Sequence, residues 1–509
     1  MKVIENALIW PGHGKQFQGA LIINDKGLIE EVGTIEKVKL NPNYEKCEKI
    51  DANGCTVIPA FTDSHCHLAG IVRGRCFIDL SEANSMSEAI QLLADSAQKV
   101  STDSNLPWIF GGKFNETRFP DNKIPNRYDL DIIQNPVIIQ RICCHLHIIN
   151  SAALKIIGAH NFDGYEGAEI DDKGELNGIL HENSCEPIMP YIDDIELSDD
   201  DFTTVFNEFL SYGVSEVHTV GASGSGLSEK IYQYQKMKSQ NNLPIKIVCY
   251  MDQEMPIGSY LGDDFISYGG FKIFMDGSLG AQTAALRKNY NCCDSNGVLI
   301  HSDEEVEQIL KKANSKMQQV MAHCIGDRGI EQIVRACEKV EPIYPVKLTH
   351  VQICPKDLIE KISKLKIFCD VQMHMLVSDD PLLEKWIGKE RVPDVFPINS
   401  LIKAGVTVTG SSDAPVEPFN PMTGIWAAVV RTENTCGSEN ISLEDALKMY
   451  TVNAQKLVRR EERKGTLETG KVADIAIFDC DIFQVDPQEL KNCKVVKTIV
   501  NGEIKYQRE

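Results

Sequence analysis

Residues 56–68 read TVIPAFTDSHCHL, an apolar and β-branched run that ends in two alternate histidines. The run predicts a β-strand over Thr56–His65. Side chains two positions apart in a strand point to the same side, so we expect His65 and His67 to project together from the end of this strand. Such a pair is typical of a metal site, but it is also compatible with two surface histidines beside a loop.

Seven further runs of this kind follow along the chain, and helical patterns fit between several of them. The predicted strands are Val214–Val220, Ile245–Met251, Phe271–Asp276, Gln319–His323, Val346–His350, Ile367–His374 and Thr407–Asp413. Ser302 and Glu305 form a capping box that begins one helical segment. A buried helix face is predicted at Ile330, Ile333, Val334 and Cys337. Strand–helix alternation predicts a parallel sheet, and eight units predict an α/β fold with a (β/α)8 TIM-like barrel.

Both ends of the sequence read as short strands and turns, unlike the middle. Two hairpins are predicted there, Ala20–Asn24 with Leu28–Val32 and Val495–Val500 with Glu503–Tyr506. The second contains Asn501-Gly502, a type I′ turn signal. We therefore expect one small β-sandwich domain built from both termini, residues 1–55 and 465–509, around a barrel formed by residues 56–464.

The gap between the first and second barrel strands is too long for one helix. It extends from about residue 72 to about residue 198, directly after the strand that carries the two histidines. Barrels accept such growth at the loops that follow their strands, where substrates bind. Residues 72–198 are therefore predicted to form an insertion, a lid or substrate subdomain within the barrel.

Composition narrows the class of protein further. The 509 residues include 52 Lys and Arg against 73 Asp and Glu, a formal charge of −21. So acidic a chain argues against nucleic-acid partners and against an anionic membrane surface. The N-terminal residues do not read as a signal peptide, and no apolar run is long enough to span a membrane. The 17 cysteines contain no CxxC spacing, which favours a cytoplasmic protein with reduced thiols.

Polar residues also stand at the ends of three other predicted barrel strands. His323 ends VMAHCIGD, His350 lies in KLTHVQ, and Asp413 lies in VTVTGSSDAPV. A single histidine at a strand end is usually structural, but four histidines and an aspartate spread over four strand ends form a pattern. Neutral imidazoles together with a carboxylate favour Zn²⁺ or a similar divalent metal. The sequence therefore predicts a metal centre at the C-terminal end of the barrel.

Lys272 is the unusual residue of the fourth predicted strand, since it lies among the apolar residues of FKIF. Burying an unpaired lysine is costly. The side chain either extends to the barrel rim, pairs with Asp276, or is carboxylated by CO₂ to an anion that bridges two metals. Burial favours the neutral amine that carboxylation needs.

The motifs of the chain resemble those of the amidohydrolase superfamily of metal-dependent hydrolases, in particular the branch that includes N-substituted formamide deformylases. The resemblance spans nearly the whole chain. Its motifs are PAFTDSHCHL, WIFGGKFNE, NPVIIQRICCHLHIINSAAL, FKIFMDGSLGAQTAAL, MAHCIGD, THVQ, GSSDAPVEPFNP and GTLETGKVADIAIFD. The family usually has Pro-Gly where this chain has Pro59-Ala60, and the metal residues that follow are intact.

This resemblance implies a role for each strand-end residue. It implies that one metal is bound by His65 and His67, a second by His323 and His350, and that carboxylated Lys272 bridges both. Asp413 would bind the first metal and act as the catalytic residue that accepts the proton of the attacking water. A single zinc ion in the first site is the alternative to two.

Five further residues are candidates for binding substrate: His145, Arg141, Asp276, Ser278 and His374. Each also has a structural interpretation. His145 and Arg141 lie in the insertion and could brace a lid, while Asp276 and Ser278 could belong to a tight turn. His374, with Gln372, ends the seventh predicted strand.

The predicted function is hydrolysis of a C–N bond in an amide, an N-formyl group or a cyclic amide of a small-molecule substrate, by a metal-activated water. The alternatives are a deaminase of the same superfamily and a catalytically silent binding protein on the same barrel. Deaminases usually use a Glu near the strand-five histidine, whereas Ile325-Gly326-Asp327 offers none. A homodimer is a further expectation.

Overall fold

The computed structural model describes residues 1–100, 107–142, 146–165, 167–221, 227–252, 255–431 and 437–508. The chain divides into two compact units. The first comprises Met1–Leu68, Thr203–Ser223 and Ile231–Glu509, and the second comprises Ala69–Phe202 and Gly224–Lys230. The finer division into a terminal domain, a barrel and a lid stays a prediction.

The strands of the described residues are given in chain order. They are β1 (Lys2–Ile9), β2 (Phe17–Ile23), β3 (Ile29–Gly33), β4 (Glu48–Asp51), β5 (Thr56–Pro59), β6 (Phe61–Cys66), β7 (Ile78–Asp79), β8 (Ile109–Phe114), β9 (Val137–Arg141), β10 (Leu146–Ile149), β11 (Ala168–Ile170), β12 (Leu176–His181), β13 (Val214–Val220), β14 (Lys246–Met251), β15 (Ile266–Phe274), β16 (Val320–Cys324), β17 (Lys347–His350), β18 (Phe368–Val371), β19 (Val408–Gly410), β20 (Ile475–Phe478), β21 (Val495–Val500) and β22 (Glu503–Gln507).

The α-helices follow the same order. They are α1 (Ile35–Lys39), α2 (Leu68–Arg75), α3 (Met86–Val100), α4 (Arg127–Leu130), α5 (Ser151–Ile157), α6 (Met189–Asp193), α7 (Asp199–Ser211), α8 (Leu227–Ser239), α9 (Asp303–Ser315), α10 (Asp327–Val340), α11 (Lys356–Lys364), α12 (Met373–Ile387), α13 (Ile398–Lys403), α14 (Pro421–Val430), α15 (Leu443–Met449) and α16 (Val452–Leu457). None of these described helices combines the length and apolar character that a membrane span requires.

A parallel sheet dominates the first unit. Within the described residues it has eight strands in the order β6, β13, β14, β15, β16, β17, β18 and β19, and every neighbouring pair is parallel. Its two edges approach each other, because Ser64 Oγ donates to the Gly410 carbonyl at 2.9 Å. The prediction of an α/β fold with an eight-stranded parallel barrel is confirmed.

The helical signals around the barrel are also confirmed. Ser302 caps α9, and its side chain and that of Glu305 each accept the other residue's backbone N–H. The predicted apolar face of α10 is buried, as the i, i+3, i+4, i+7 spacing requires.

The first predicted barrel strand is wrong in one respect, because Thr56–His65 is two strands. The Ala60 N–H donates to the Asp474 carbonyl at 2.9 Å, and the Phe61 N–H donates to the Gly213 carbonyl at 2.8 Å. Consequently β5 pairs with β1 and β20, whereas β6 pairs with β13. The run is apolar throughout because both halves are buried, so the pattern does not reveal the change of sheet.

Three later barrel strands end earlier than predicted. The fourth, predicted as Phe271–Asp276, is Ile266–Phe274. The seventh ends at Val371, and α12 begins at Met373, so His374 lies in the first turn of a helix. The eighth ends at Gly410, before Asp413, whose φ of 58° is left-handed and incompatible with a strand.

Strands from both ends of the sequence form a second sheet of the first unit. Its order is β22, β21, β20, β5, β1, β2 and β3, with β4 also paired to β1. Both predicted hairpins are present, and Asn501 (φ 49°) and Gly502 (φ 77°) form the turn between β21 and β22. Apolar residues of these strands, including Ile4, Leu21 and Ile475, build the core of this sheet. That it forms a β-sandwich stays a prediction.

The second unit contains a six-stranded sheet in the order β11, β12, β10, β9, β8 and β7. Helix α3 contributes Ile90, Leu93 and Ala97 to its core, together with Phe114 and Ile139 from the sheet. The spacing of the α3 residues places them on one helix face, so this unit has a hydrophobic core of its own.

Candidate metal centre

His65, His67 and Asp413 form the tightest cluster of metal-binding side chains among the described residues. Asp413 Oδ1 lies 3.0 Å from His65 Nε2 and 3.2 Å from His67 Nε2. One candidate ligand atom from each residue lies within 4.8 Å of the others. Two backbone bonds fix the arrangement, because the Asp413 N–H donates to the His65 carbonyl at 2.8 Å and the His67 N–H donates to the Ala414 carbonyl at 2.7 Å.

Several polar atoms of this cluster are buried without a hydrogen-bond partner in the described part of the chain. They are Nδ1 and Nε2 of His65 and Oδ1 of Asp413. Although His65 Nε2 and Asp413 Oδ1 lie close together, the angles between them do not meet the criteria for a hydrogen bond. Buried polar atoms left unpaired destabilise a fold. A divalent cation would satisfy two of them, His65 Nε2 and Asp413 Oδ1, which lie 3.0 Å apart, so the residues fit a metal.

His323 and His350 extend the cluster from the neighbouring strands β16 and β17. Their ring centroids lie 4.4 Å apart, and the ring of His350 lies 5.6 Å from that of His65. His350 Nδ1 is 2.8 Å from Gln372 Oε1, and His323 Nε2 is 3.1 Å from the Gly277 carbonyl. Each ring therefore has one nitrogen held by the protein and one left for another partner.

Lys272 lies on β15 and is only 2% exposed. Its Nζ is 5.3 Å from the centroid of the Phe274 ring. No carboxylate oxygen of the described residues forms an ion pair with it within 4.0 Å, that of Asp276 included. Burial lowers the pKa of Lys272 to about 8, so this amine loses its proton more readily than an exposed lysine does.

The site sets the charge of its own groups. Burial, with the nearby Lys272, lowers the pKa of His323 to about 3 and holds the pKa of His65 well below its ordinary value. Burial and the neighbouring His323 act in the same way on the pKa of His350. Burial alone would raise the pKa of Asp413, but His65 and His67 hold it well below the usual range. Neutral imidazoles and an ionised carboxylate are the forms that bind zinc.

Two of the clustered residues have a strained backbone. His350 has φ 82° and Asp413 has φ 58°, and Val351, which follows His350, has φ 49°. Left-handed conformations cost about 1–3 kcal/mol for such residues and concentrate at functional sites. The fold therefore holds these two side chains in place at the expense of stability.

Two of the residues predicted to bind substrate, Asp276 and Ser278, accept hydrogen bonds from backbone N–H groups. The Asp276 carboxylate is buried and accepts the backbone N–H groups of Ala285, Ile325 and Gly326 at 2.7–3.0 Å. Ser278 Oγ accepts the Ala281 N–H at 3.3 Å. Their roles in substrate binding stay predictions.

The other three candidates are His374, Arg141 and His145. His374 is buried, its Nε2 lies 3.0 Å from the Asn420 carbonyl, and burial lowers its pKa to about 4. Arg141, in the second unit, is paired with Glu116 through bonds of 2.7 and 2.9 Å. His145 lies outside the described residues.

Sequence reasoning missed a buried polar network beneath the cluster. Asp63 accepts the Ser412 hydroxyl at 2.6 Å, and Asp370 lies 3.5 Å from the buried Lys347 ammonium. Gln372 connects Asp370 to His350. The alternation of polar Asp370 and Gln372 in DVQ was a usable signal, since residues two apart at the end of a strand share a side.

An eight-stranded parallel barrel with histidines gathered at its strand ends is the architecture of a metal-dependent hydrolase. Residues 48–506 match the amidohydrolase family Amidohydro_3, and the chain belongs to that family. The resemblance noted from the sequence motifs is confirmed.

Three similar proteins cover almost the full length of the chain. YtcJ of Bacillus subtilis (strain 168) is 30% identical over 96% of this chain and 96% of its own length. N-substituted formamide deformylase of Arthrobacter pascens is 24% identical over 95% and 94%. A crystal structure of an uncharacterized metal-dependent hydrolase from Pyrococcus horikoshii OT3 is 27% identical, with a TM-score of 0.79 over 96% of this chain and 98% of that one.

Proposed function

We propose that this amidohydrolase cleaves a C–N bond in an amide, N-formyl or cyclic amide substrate. The observation that carries the proposal is the convergence of His65, His67 and Asp413, with buried nitrogen and oxygen atoms that lack hydrogen-bond partners in the described part of the chain. The similarity to an N-substituted formamide deformylase over 95% of the chain supports the type of bond.

The proposed metal ligands are six side chains. They are His65, His67, Lys272, His323, His350 and Asp413. Nitrogen and carboxylate oxygen ligands favour Zn²⁺ among the common divalent metals, and the chain would hold one or two ions. Lys272 would take part as a carbamate: its neutral amine adds to the carbon of CO₂, an N–C bond forms and one proton leaves.

A divalent metal at this site supplies Lewis acidity, which lowers the pKa of water and polarises a carbonyl group. The protein must then move one proton. Asp413, ionised and acceptor-only, takes the proton of the attacking water as its oxygen adds to the substrate carbon. The same carboxyl group returns the proton to the departing nitrogen as the C–N bond breaks, so the residue ends in its starting state.

The proposal is tested by metal analysis of the purified protein together with a panel of N-acyl, N-formyl and cyclic amides. Two equivalents of zinc and turnover of one amide class are expected. One equivalent with ammonia released from an amino-substituted ring would identify the deaminase alternative. Protein that binds no metal and turns over no compound of the panel would identify the silent binding protein.

The proposal also covers the domains of the chain, its cellular location and its oligomeric state. Residues 72–198 would act as a lid on substrate access, and residues 1–55 and 465–509 would form the β-sandwich domain. The described cysteines carry free thiols, which supports a cytoplasmic location. A homodimer is proposed as the oligomeric state, and sedimentation at micromolar concentration tests it.

A further inference from the structure

Gln372 occupies a junction between the candidate metal centre and a buried charge. It follows β18, occupies the N-cap position of α12 without a side-chain capping bond, and is fully buried. On one side its Oε1 lies 2.8 Å from His350 Nδ1. On the other, its Nε2 lies 2.7 Å from Ser411 Oγ and 3.4 Å from Asp370 Oδ2.

The orientation of the Gln372 amide follows from the chemistry of Asp370. That carboxylate is fully buried and faces the Lys347 ammonium at 3.5 Å. It also accepts the hydroxyls of Thr409 at 2.8 Å and Ser411 at 3.1 Å. An ionised carboxylate only accepts hydrogen bonds, and the Ser411 hydroxyl has already given its single proton to Asp370. Both groups can therefore only accept a hydrogen bond from Gln372, so the NH₂ end of its amide must face them.

This orientation decides which nitrogen of His350 carries hydrogen. With the amide nitrogen directed towards Asp370, the Gln372 oxygen faces His350 and can only accept. A neutral imidazole has one N–H group and one lone pair. The N–H is consequently at Nδ1, and the lone pair is at Nε2.

We infer that Gln372 is a positioning residue that holds His350 as the Nδ1–H tautomer and so presents its Nε2 lone pair to a metal. The buried anion Asp370 fixes the orientation of the Gln372 amide, and the amide oxygen in turn fixes the tautomer of the His350 ring. Partners of this kind behind a metal-binding histidine fix its orientation and raise its basicity. The inference rests on the proposed function for its metal, but the tautomer is a property of the metal-free protein.

The test compares Gln372→Met with the matched variant Gln352→Met. Methionine keeps much of the volume of glutamine and removes both its donor and its acceptor. Gln352 is also buried and donates to Asp379 at 2.5 Å, and within the described part of the chain its side chain has no bond to a candidate ligand. Thermal unfolding establishes that each variant is folded. Should Gln372→Met fail to fold, Ser411→Ala provides a milder change, since it removes one of the two acceptors that orient the amide.

Two measurements follow. Zn²⁺ affinity is obtained by competition with a chromogenic chelator, and the tautomer is read from ¹⁵N-histidine spectra of metal-free protein, with His350→Asn identifying the signal. Gln372→Met should weaken Zn²⁺ binding at one site by about 10–100-fold and shift His350 away from the Nδ1–H tautomer. Ser411→Ala should do the same to a smaller extent, and Gln352→Met should match the wild type in both measurements.

The possible outcomes distinguish failure of the proposed function from failure of the inference about Gln372. If the wild type binds no Zn²⁺, the proposed function fails, while the spectra still decide the tautomer. A wild-type His350 with its proton on Nε2 would overturn the inference. A Zn²⁺ affinity of Gln372→Met equal to that of the wild type would also overturn the inference, even where the wild type binds Zn²⁺ at the predicted site.

Discussion

His65 Nε2 and Asp413 Oδ1 lie 3.0 Å apart although His65 lies on β6 and Asp413 follows β19, the two edge strands of the barrel sheet. The Asp413 N–H donates to the His65 carbonyl at 2.8 Å, so the same backbone contact closes the barrel and brings the two side chains together. The contact that closes the barrel therefore also positions the first part of the candidate site.

A crystal structure of zinc-loaded protein should show His65, His67, His323, His350 and Asp413 around one metal centre. Zinc–nitrogen distances of about 2.0–2.1 Å are expected, because the clustered rings already have one nitrogen each available. A histidine of this set more than about 5 Å from every metal ion, well beyond bonding distance, would break the predicted ligand set.

The Asp413→Asn variant should fold and lose nearly all turnover. An amide can still contact a metal, but it cannot take the proton of water, and loss of an acid–base group typically costs about 10²–10⁴-fold in rate. The measurement is kcat on the best amide substrate, with thermal unfolding as the check on folding. Asp303→Asn, on α9, is the matched control. Turnover of Asp413→Asn near the wild-type rate would remove Asp413 from this role.

Lys272→Ala should bind one metal fewer than the wild type. The alanine cannot form the anionic carbamate, and without it two divalent ions would face each other with less charge neutralised. Metal content is measured after dialysis, and added acetate or propionate should partly restore both metal and activity. Unchanged metal content in Lys272→Ala, or a bare Lys272 turned away from an occupied two-metal centre, would contradict the carbamate.

The rate of carbamate formation should rise with pH. Burial lowers the pKa of Lys272 to about 8, and only the neutral amine reacts with CO₂. Below that pH the ammonium form predominates and recovery of activity by metal-free, decarboxylated protein is slow; above it the rate levels off. Recovery is followed at constant dissolved CO₂ and constant zinc between pH 6.5 and 9.5. A rate that is flat across this range would rule out a lysine with this lowered pKa as the reacting group.

Replacing residues 72–198 by a short linker should leave metal bound and abolish substrate selectivity. The predicted ligands all lie outside the insertion, whereas Arg141 and His145, two of the candidates for substrate binding, lie within it. Metal content and relative kcat/KM across the amide panel are compared with the full chain. Selectivity that survives the deletion, or an experimental structure with the insertion on the N-terminal face of the barrel, would contradict a lid.

The sequence predicted the barrel well because each strand is a local apolar run, and all eight runs correspond to strands of the parallel sheet. The sequence could not locate the break between β5 and β6 at Ala60, since both strands are buried. The change of sheet there depends on β20, which pairs with β5, and on β13, which pairs with β6, and both lie more than 150 residues away along the chain. The histidines at strand ends were visible in the pattern. The polar Asp370 and Gln372 in DVQ gave a partial signal of the network behind them, but the ion pair between Lys347 and Asp370 joins neighbouring strands and leaves no periodic pattern.

The pairing of β5 with β20 has a consequence for synthesis on the ribosome. Strand β5 pairs with β20 through Val57–Ile477, Ile58–Ala476 and Pro59–Ile475. Strand β5 therefore cannot form this pairing until β20 has been synthesised, near the end of translation. At about 5–20 residues per second, the delay is roughly 20 to 80 s. During that interval the apolar edge of β5 lacks its native neighbour, and contacts so distant in sequence are slow to form. The nascent chain should therefore be a substrate for chaperones that shield exposed strands until β20 emerges.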